Sequence, residues 1–163
     1  MLKFVNTGIV FAEIPDEVTL SINISACPCH CPGCHSQYLW ADIGEPLTPC
    51  ALTALIKRYT GSITCVCLMG GDADPQAVAE LAAYVREKHP RLKVAWFSGR
   101  ARVPAGIDRK PFHYIKTGPY IRHLGALDSE RTNQRMMKQR EDGTWEDITW
   151  RFWQHGGKKA VNE

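Results

Sequence analysis

Alternating apolar and polar positions over Val18-Thr-Leu-Ser-Ile-Asn-Ile-Ser25 predict a β-branched strand that runs into a loop broken by Pro28, Pro32 and Gly33. Thr48-Pro-Cys-Ala-Leu-Thr-Ala-Leu-Ile-Lys-Arg-Tyr59 predicts a helix with Thr48 as N-cap and Pro49 at the first helical position. Ile63 to Met69 is almost continuously apolar, as in a strand buried on both faces, and ends in Gly70-Gly71-Asp72. Val78, Leu81, Ala82 and Val85 recur at helical spacing and predict a helix from about Pro75 to Lys88. Leu92 to Phe97 predicts a strand ending in Ser98-Gly99, and His113 to Lys116 another ending in Thr117-Gly118-Pro119.

Strand, loop and helix in repetition predict an α/β fold with a parallel sheet, built from about four to six such units. The 163 residues suit one domain. That domain is placed over residues 1–155, with Gly156-Gly-Lys-Lys-Ala-Val-Asn-Glu163 as a loose tail. A complete eight-fold barrel takes about 250 residues, so the expected architecture is a partial, open (β/α) barrel. Folds of this class hold ligands in the loops after their strands. The turns after the predicted strands are therefore expected at one mouth.

Composition changes the picture at two points. No apolar run reaches the length of a membrane span and no secretory layout opens the chain, so a cytoplasmic setting is expected, without a membrane partner. The net charge of +3 does not call for nucleic acid, but from Lys93 to Arg140 eleven Lys or Arg face three Asp or Glu. That stretch reads either as a solvated face or as a docking surface for an acidic partner or an anionic ligand.

Seven cysteines are an odd number, and four of them fall between Cys27 and Cys34, which favours reduced thiols on a metal over disulfides. Cys50, Cys65 and Cys67 are expected as small core residues. Cys27, Cys31 and Cys34 follow a C-x3-C-x2-C spacing that holds three corners of a four-iron cluster and leaves the fourth iron without a protein ligand. Zinc is the competitor for Cys31-x2-Cys34, in an interaction module without catalysis, but a structural zinc site wants a second well-separated pair and none follows. Cys29 either closes the iron site as a fourth ligand or stands by and leaves it open. His35 either meets a bound ligand or caps the loop. Gly70 and Gly71 let the backbone approach an amino-acid-like ligand, with Asp72 near its ammonium. Ser98 and Lys116 reach the same cavity or sit in solvated loops.

The cysteine loop after an early strand and the Gly-Gly-acid turn after a later one resemble the radical S-adenosylmethionine superfamily. The resemblance implies that the open iron chelates the amino and carboxylate groups of S-adenosylmethionine, and that one electron cleaves the sulfonium to methionine and a 5′-deoxyadenosyl radical. It makes Cys27, Cys31 and Cys34 the cluster ligands and sets Gly70, Gly71 and Asp72 at the methionine amine; Gly33, Cys34, His35, Ser98 and Lys116 complete the expected cofactor site. No side chain is expected to do the chemistry itself.

Cys31-Pro-Gly-Cys-His35, Leu39-Trp40, Gly44, and Thr132-Asn-Gln-Arg-Met136 after Gly118-Pro-Tyr120 are further similar to the activating proteins of anaerobic (class III) ribonucleoside-triphosphate reductases, over roughly residues 5–137. Those proteins abstract a hydrogen from a backbone glycine. The implied partners are the reductase large subunit, with its glycyl-radical loop, and an electron donor such as flavodoxin or ferredoxin. Rivals within the superfamily act on another glycyl-radical enzyme or on a small molecule. The chain departs from the pattern at Gly70-Gly-Asp-Ala-Asp-Pro75, which leaves Asp72 and Asp74 as alternative acids, at Cys29, and beyond Trp145, where Trp150 and Trp153 have no counterpart.

Overall fold

The structure, a computed structural model, describes residues 1–153. Its centre is four parallel strands: β2 (Thr19–Ile24), β4 (Cys65–Met69), β5 (Lys93–Phe97) and β6 (Tyr114–Thr117). Antiparallel strands flank them on both sides. β1 (Lys3–Val10) and the short β3 (Glu45–Pro46) lie outside β2, and β7 (Arg135–Gln139) and β8 (Trp145–Asp147) lie outside β6. The order is β3-β1-β2-β4-β5-β6-β7-β8, an open sheet. The sequence predicts a parallel sheet; the sheet is parallel at its centre and mixed overall, because antiparallel strands extend it at both edges.

Two helices form where periodicity places them. In α1 (Pro49–Lys57) the Thr48 hydroxyl accepts the amide of Ala51 at 3.1 Å, and in α2 (Pro75–Lys88) the Asp74 carboxylate accepts the amide of Ala77 at 3.1 Å. Each cap satisfies an amide that the first turn would leave unpaired. The repeat then stops. The chain crosses from β5 to β6 through an irregular segment, residues 98–113, so the expected four to six strand–loop–helix units reduce to two with a helix. Pro104, Gly106 and Pro111 deny that segment a helix, and Phe112 covers the sheet instead, stacked 5.6 Å from Trp96.

The sheet buries both faces. Under the helices, Leu20, Ile22, Ile24, Val66, Leu68, Val94 and Trp96 pack against Leu52, Leu55, Val78 and Val85. The other face carries Cys65, Cys67, Ala95, Tyr114 and Met136, closed by Ile14, Leu127 and Ile148. Burial pushes the Cys65 thiol up to about 12 and raises Cys67 as well, so both are inert core thiols. Cys50 does not follow them: in the first turn of α1 its side chain is exposed, a correction to its expected burial. The segment beyond Trp145 supplies β8 and a 3₁₀ turn, Thr149–Phe152, tied back by Arg151 to Asp16 at 2.6 and 2.9 Å. The tail expected at residues 156–163 lies outside the described residues, and no described helix is long and apolar enough to cross a membrane.

Candidate metal centre

The cysteine loop leaves the C-terminal end of β2 through a backbone fixed at several points. The amide of Ala26 donates to the carbonyl of Ala41 at 3.0 Å, and that of Cys27 to Leu39 at 2.9 Å. The Ser25 hydroxyl donates to the carbonyl of Ile43 at 2.5 Å. Two residues without the freedom of glycine are held in the left-handed region, Ala26 at φ 57° and His30 at φ 43°. Such conformations persist where surrounding contacts over-determine them, and His30 is stacked on Trp40 at 4.8 Å. Within the loop the amide of Cys34 donates to the carbonyl of Cys31 at 3.0 Å, and the amide of Ser36 donates to the Cys34 sulfur at 3.4 Å. Gly33, at φ 81°, closes the turn beneath the guanidinium of Arg122, which a Cβ there would meet at 3.0 Å.

The opposite wall begins where β4 ends. Gly70 (φ 100°) donates its amide to the carbonyl of Phe97 at 2.9 Å and accepts the indole N–H of Trp96 at 2.8 Å. At Gly71 (φ 84°) a Cβ would stand 2.4 Å from a Val78 methyl, so helix α2 itself demands a glycine. Asp72 is buried, and its carboxylate is spent inside the protein. It accepts the Ser98 hydroxyl at 2.5 Å and the Gly99 amide at 2.8 Å, while Arg100 donates to its main-chain carbonyl at 2.7 Å. The two alternative acids of the sequence thus occupy different places: Asp72 faces the cavity, and Asp74 caps α2.

The ends of β2, β4, β5 and β6 enclose one cavity of about 360 Å³. Cys27, Cys29, Cys31, Cys34 and His35 line one side, and Gly70, Asp72, Ser98 and Lys116 another. All the candidate site residues except Gly33 and Gly71 are therefore on its surface, and those two sit within the turns that form it. Lys116 donates to the carbonyl of Gly118 at 2.9 Å and lies 3.5 Å from that of Ser98. Burial pulls its ammonium below the usual lysine range, opposed by the negative charge of Asp72 and the cysteines. His35 lies against Tyr120, with ring centroids 5.9 Å apart.

Sequence reasoning did not place Tyr120 or Gln134 in the site, though both line the cavity. They enter on the segment between β6 and β7, whose Asn133 donates to the carbonyl of Pro119 at 3.0 Å. Only this long-range closure brings them near the cysteines; the resemblance marks the segments 118–120 and 132–136 that carry them, but not as parts of the cavity.

The donor set fits an iron–sulfur cluster. Four thiols share a cavity with the apolar side chains of Ile24, Leu39, Met69 and Phe97, soft ligands in a setting that limits water. Among the described residues, no three His, Cys, Asp or Glu groups converge as around a single metal ion. The buried indole N–H of Trp40, on the same wall, has no acceptor among the described residues. Cys29 lines the same cavity as the C-x3-C-x2-C set and neighbours Cys27, and its sulfur lies 3.9 Å from the Asp72 carboxylate and directly under Gly99. Burial, then the charge of Asp72, pushes its thiol up to about 12. A larger cavity of about 730 Å³ opens at the other ends of β5 and β6, between Lys93, His113 and Tyr114, and holds no thiol.

A family model described as a 4Fe-4S single cluster domain matches residues 17–103, more than half of the chain. The matched span runs from just before β2, through the cysteine loop and the Gly70-Gly71-Asp72 turn, to the far side of Ser98-Gly99. No curated protein and no solved structure matches the chain.

Proposed function

This chain belongs to the 4Fe-4S single cluster domain family, and we propose that it is a radical S-adenosylmethionine activase that installs a glycyl radical on the large subunit of an anaerobic ribonucleoside-triphosphate reductase. The observation that carries this reading is one shared cavity. The thiols of Cys27, Cys31 and Cys34 face it from the loop after β2, and the Gly70-Gly71-Asp72 turn faces it from the end of β4. When bound there, a four-iron cluster and S-adenosylmethionine supply one-electron cleavage of a sulfonium and removal of a hydrogen atom from a glycine.

The chain's own residues bind and orient. Cys27, Cys31 and Cys34 hold the metal, and Cys29, whose sulfur lies 3.9 Å from the Asp72 carboxylate, stands by. Gly70 and Gly71 bare the main chain of the turn, whose polar atoms receive the amine of an amino-acid-like ligand. Asp72 is a positioning residue: with both oxygens engaged by Ser98 and Gly99, it holds the turn still and adds negative charge on the amine's side. His35 and Tyr120 close the far wall and Lys116 contributes the cavity's cation.

The open sheet is read as a partial (β/α) barrel whose unclosed side admits a glycine-bearing loop. The cationic stretch from Lys93 to Arg140 is read as part of the docking surface, with flavodoxin or ferredoxin as the electron source and a reducing cytoplasm as the setting. Protein reconstituted with iron and sulfide without oxygen, reduced and given S-adenosylmethionine, is expected to form 5′-deoxyadenosine, and with the reductase subunit a glycyl-radical doublet in its electron paramagnetic resonance spectrum. Cluster-loaded protein that forms no 5′-deoxyadenosine rejects the reading. Formation of 5′-deoxyadenosine without the doublet moves the reaction to another glycyl-radical enzyme or a small molecule.

A further inference from the structure

Among the described residues, Lys116 is the single Lys or Arg side chain on the cavity wall. Its place is set by the sheet: in β6 it pairs with Phe97 of β5 and Met136 of β7, so it rises from the same face as these apolar side chains. Among the described residues no carboxylate lies within ion-pair distance of it; its ammonium meets only main-chain carbonyls, Gly118 at 2.9 Å and Ser98 at 3.5 Å. A partly buried cation held by carbonyls alone has no counter-charge in direct contact, and leaving one unpaired is costly. The groups able to carry negative charge that share its cavity are the thiols of Cys27, Cys29, Cys31 and Cys34 and the carboxylate of Asp72, the last already engaged by Ser98, Gly99 and, at 3.9 Å, the guanidinium of Arg100.

We propose that Lys116 is the fixed counter-charge of the cluster and thereby sets its reduction potential. A cluster on three thiolates is anionic and gains a further negative charge on reduction, so a nearby cation favours the reduced form and raises the potential. The apolar side chains of Met69 and Phe97 beside it make the surroundings less polar than water and strengthen that effect. Carbonyl anchoring leaves the charge of Lys116 intact, where a carboxylate partner would cancel it. The proposal rests on a cluster being held in this cavity and not on the identity of the reaction.

The test is an equilibrium redox titration of reconstituted protein, with no small-molecule ligand added, with iron and sulfide assayed in each sample. K116M, of similar length and neutral, is expected to titrate at a more negative midpoint than wild type with full iron, and K116R to stay close to wild type. The gap between K116M and wild type is expected to narrow only in part as salt is raised, because the pair is partly buried. If K116M and K116Q fold but refuse iron while K116R accepts it, the counter-charge is needed even to assemble the cluster, which upholds the proposal. Coincident titrations of wild type and K116M at full iron content overturn it, as does a difference that appears only after S-adenosylmethionine is added, which would make Lys116 a partner of the ligand's carboxylate. Neither outcome depends on whether 5′-deoxyadenosine forms.

Discussion

Asp72 accepts the hydroxyl of Ser98 at 2.5 Å, joining the turn after β4 to the turn after β5 across the floor of the cavity. With the Gly99 amide on its other oxygen, the carboxylate works as a clamp between two parallel strands. Removing it strands the buried Ser98 hydroxyl and leaves the half-buried Gly99 amide without its partner.

Asp72→Ala is expected to destabilise the metal-free protein by about 2–3 kcal/mol, the scale of a buried hydrogen bond to a charged group with its partner left unmet. It should also lower 5′-deoxyadenosine formation at least tenfold. Asp74→Ser keeps an oxygen at the N-cap of α2, so a stability change of less than about 0.5 kcal/mol and near wild-type product formation are expected. Urea unfolding and product assay on both variants separate the two acids; equal losses would contradict their separate roles.

Cys29 gives a second contrast. Alanine at Cys27, Cys31 or Cys34 is expected to cost most of the bound iron, while Cys29→Ala retains it, because that thiol faces Asp72 and Gly99. Iron and sulfide analysis after reconstitution decides the point, and loss of iron in Cys29→Ala would return it to the ligand set.

Gly71 and Gly61 have nearly the same backbone, φ 84° and φ 82°, but different surroundings. A Cβ at Gly71 would stand 2.4 Å from Val78, and one at Gly61 meets nothing within 4 Å. Gly61→Ala should cost about 1–2 kcal/mol, the penalty of the left-handed conformation alone. Gly71→Ala adds overpacking against α2, about 1–3 kcal/mol more. Thermal melts of the two variants isolate that extra cost.

His113 ties stability to pH. Burial first, then the positive charges of Arg86 and Lys93, pull its imidazole from 6.5 to about 4, against the opposing charge of Glu17. The ring is neutral in the folded state, and its Nδ1 accepts the amide of Val94 at 3.0 Å. Below pH 6.5 the unfolded chain takes up a proton that the folded one refuses, so stability falls as the pH drops from about 6.5 towards 4. His113→Gln should flatten that part of the profile in urea titrations of the metal-free protein; an unchanged slope would assign the loss to other groups.

The parts legible in the sequence are those whose signal is local. Helix α2 appears where its periodicity puts it, and β2, β4, β5 and β6 fall within a residue or two of the predicted strands. Continuous burial on both faces writes itself into apolar runs such as Cys65–Met69. The antiparallel edges carried no such signal. β1 is half-buried and interrupted by Asn6 and Gly8, and β7 mixes Arg135 and Lys138 with its methionines, so partners rather than propensity make them strands. In the candidate site, the cysteines and the Gly70-Gly71-Asp72 turn are legible because ligation and tight turns dictate residue type at fixed spacing. Tyr120 and Gln134 are not, because a segment closing over the cavity sets no spacing with the loop it meets.

Mössbauer spectra of iron-57-reconstituted protein, recorded with and without S-adenosylmethionine, test the central claim most directly. The account predicts a four-iron cluster in which one iron changes its signal on addition of S-adenosylmethionine, the others staying as they were. A cluster whose spectrum is indifferent to S-adenosylmethionine, or a protein that binds no iron, would contradict it.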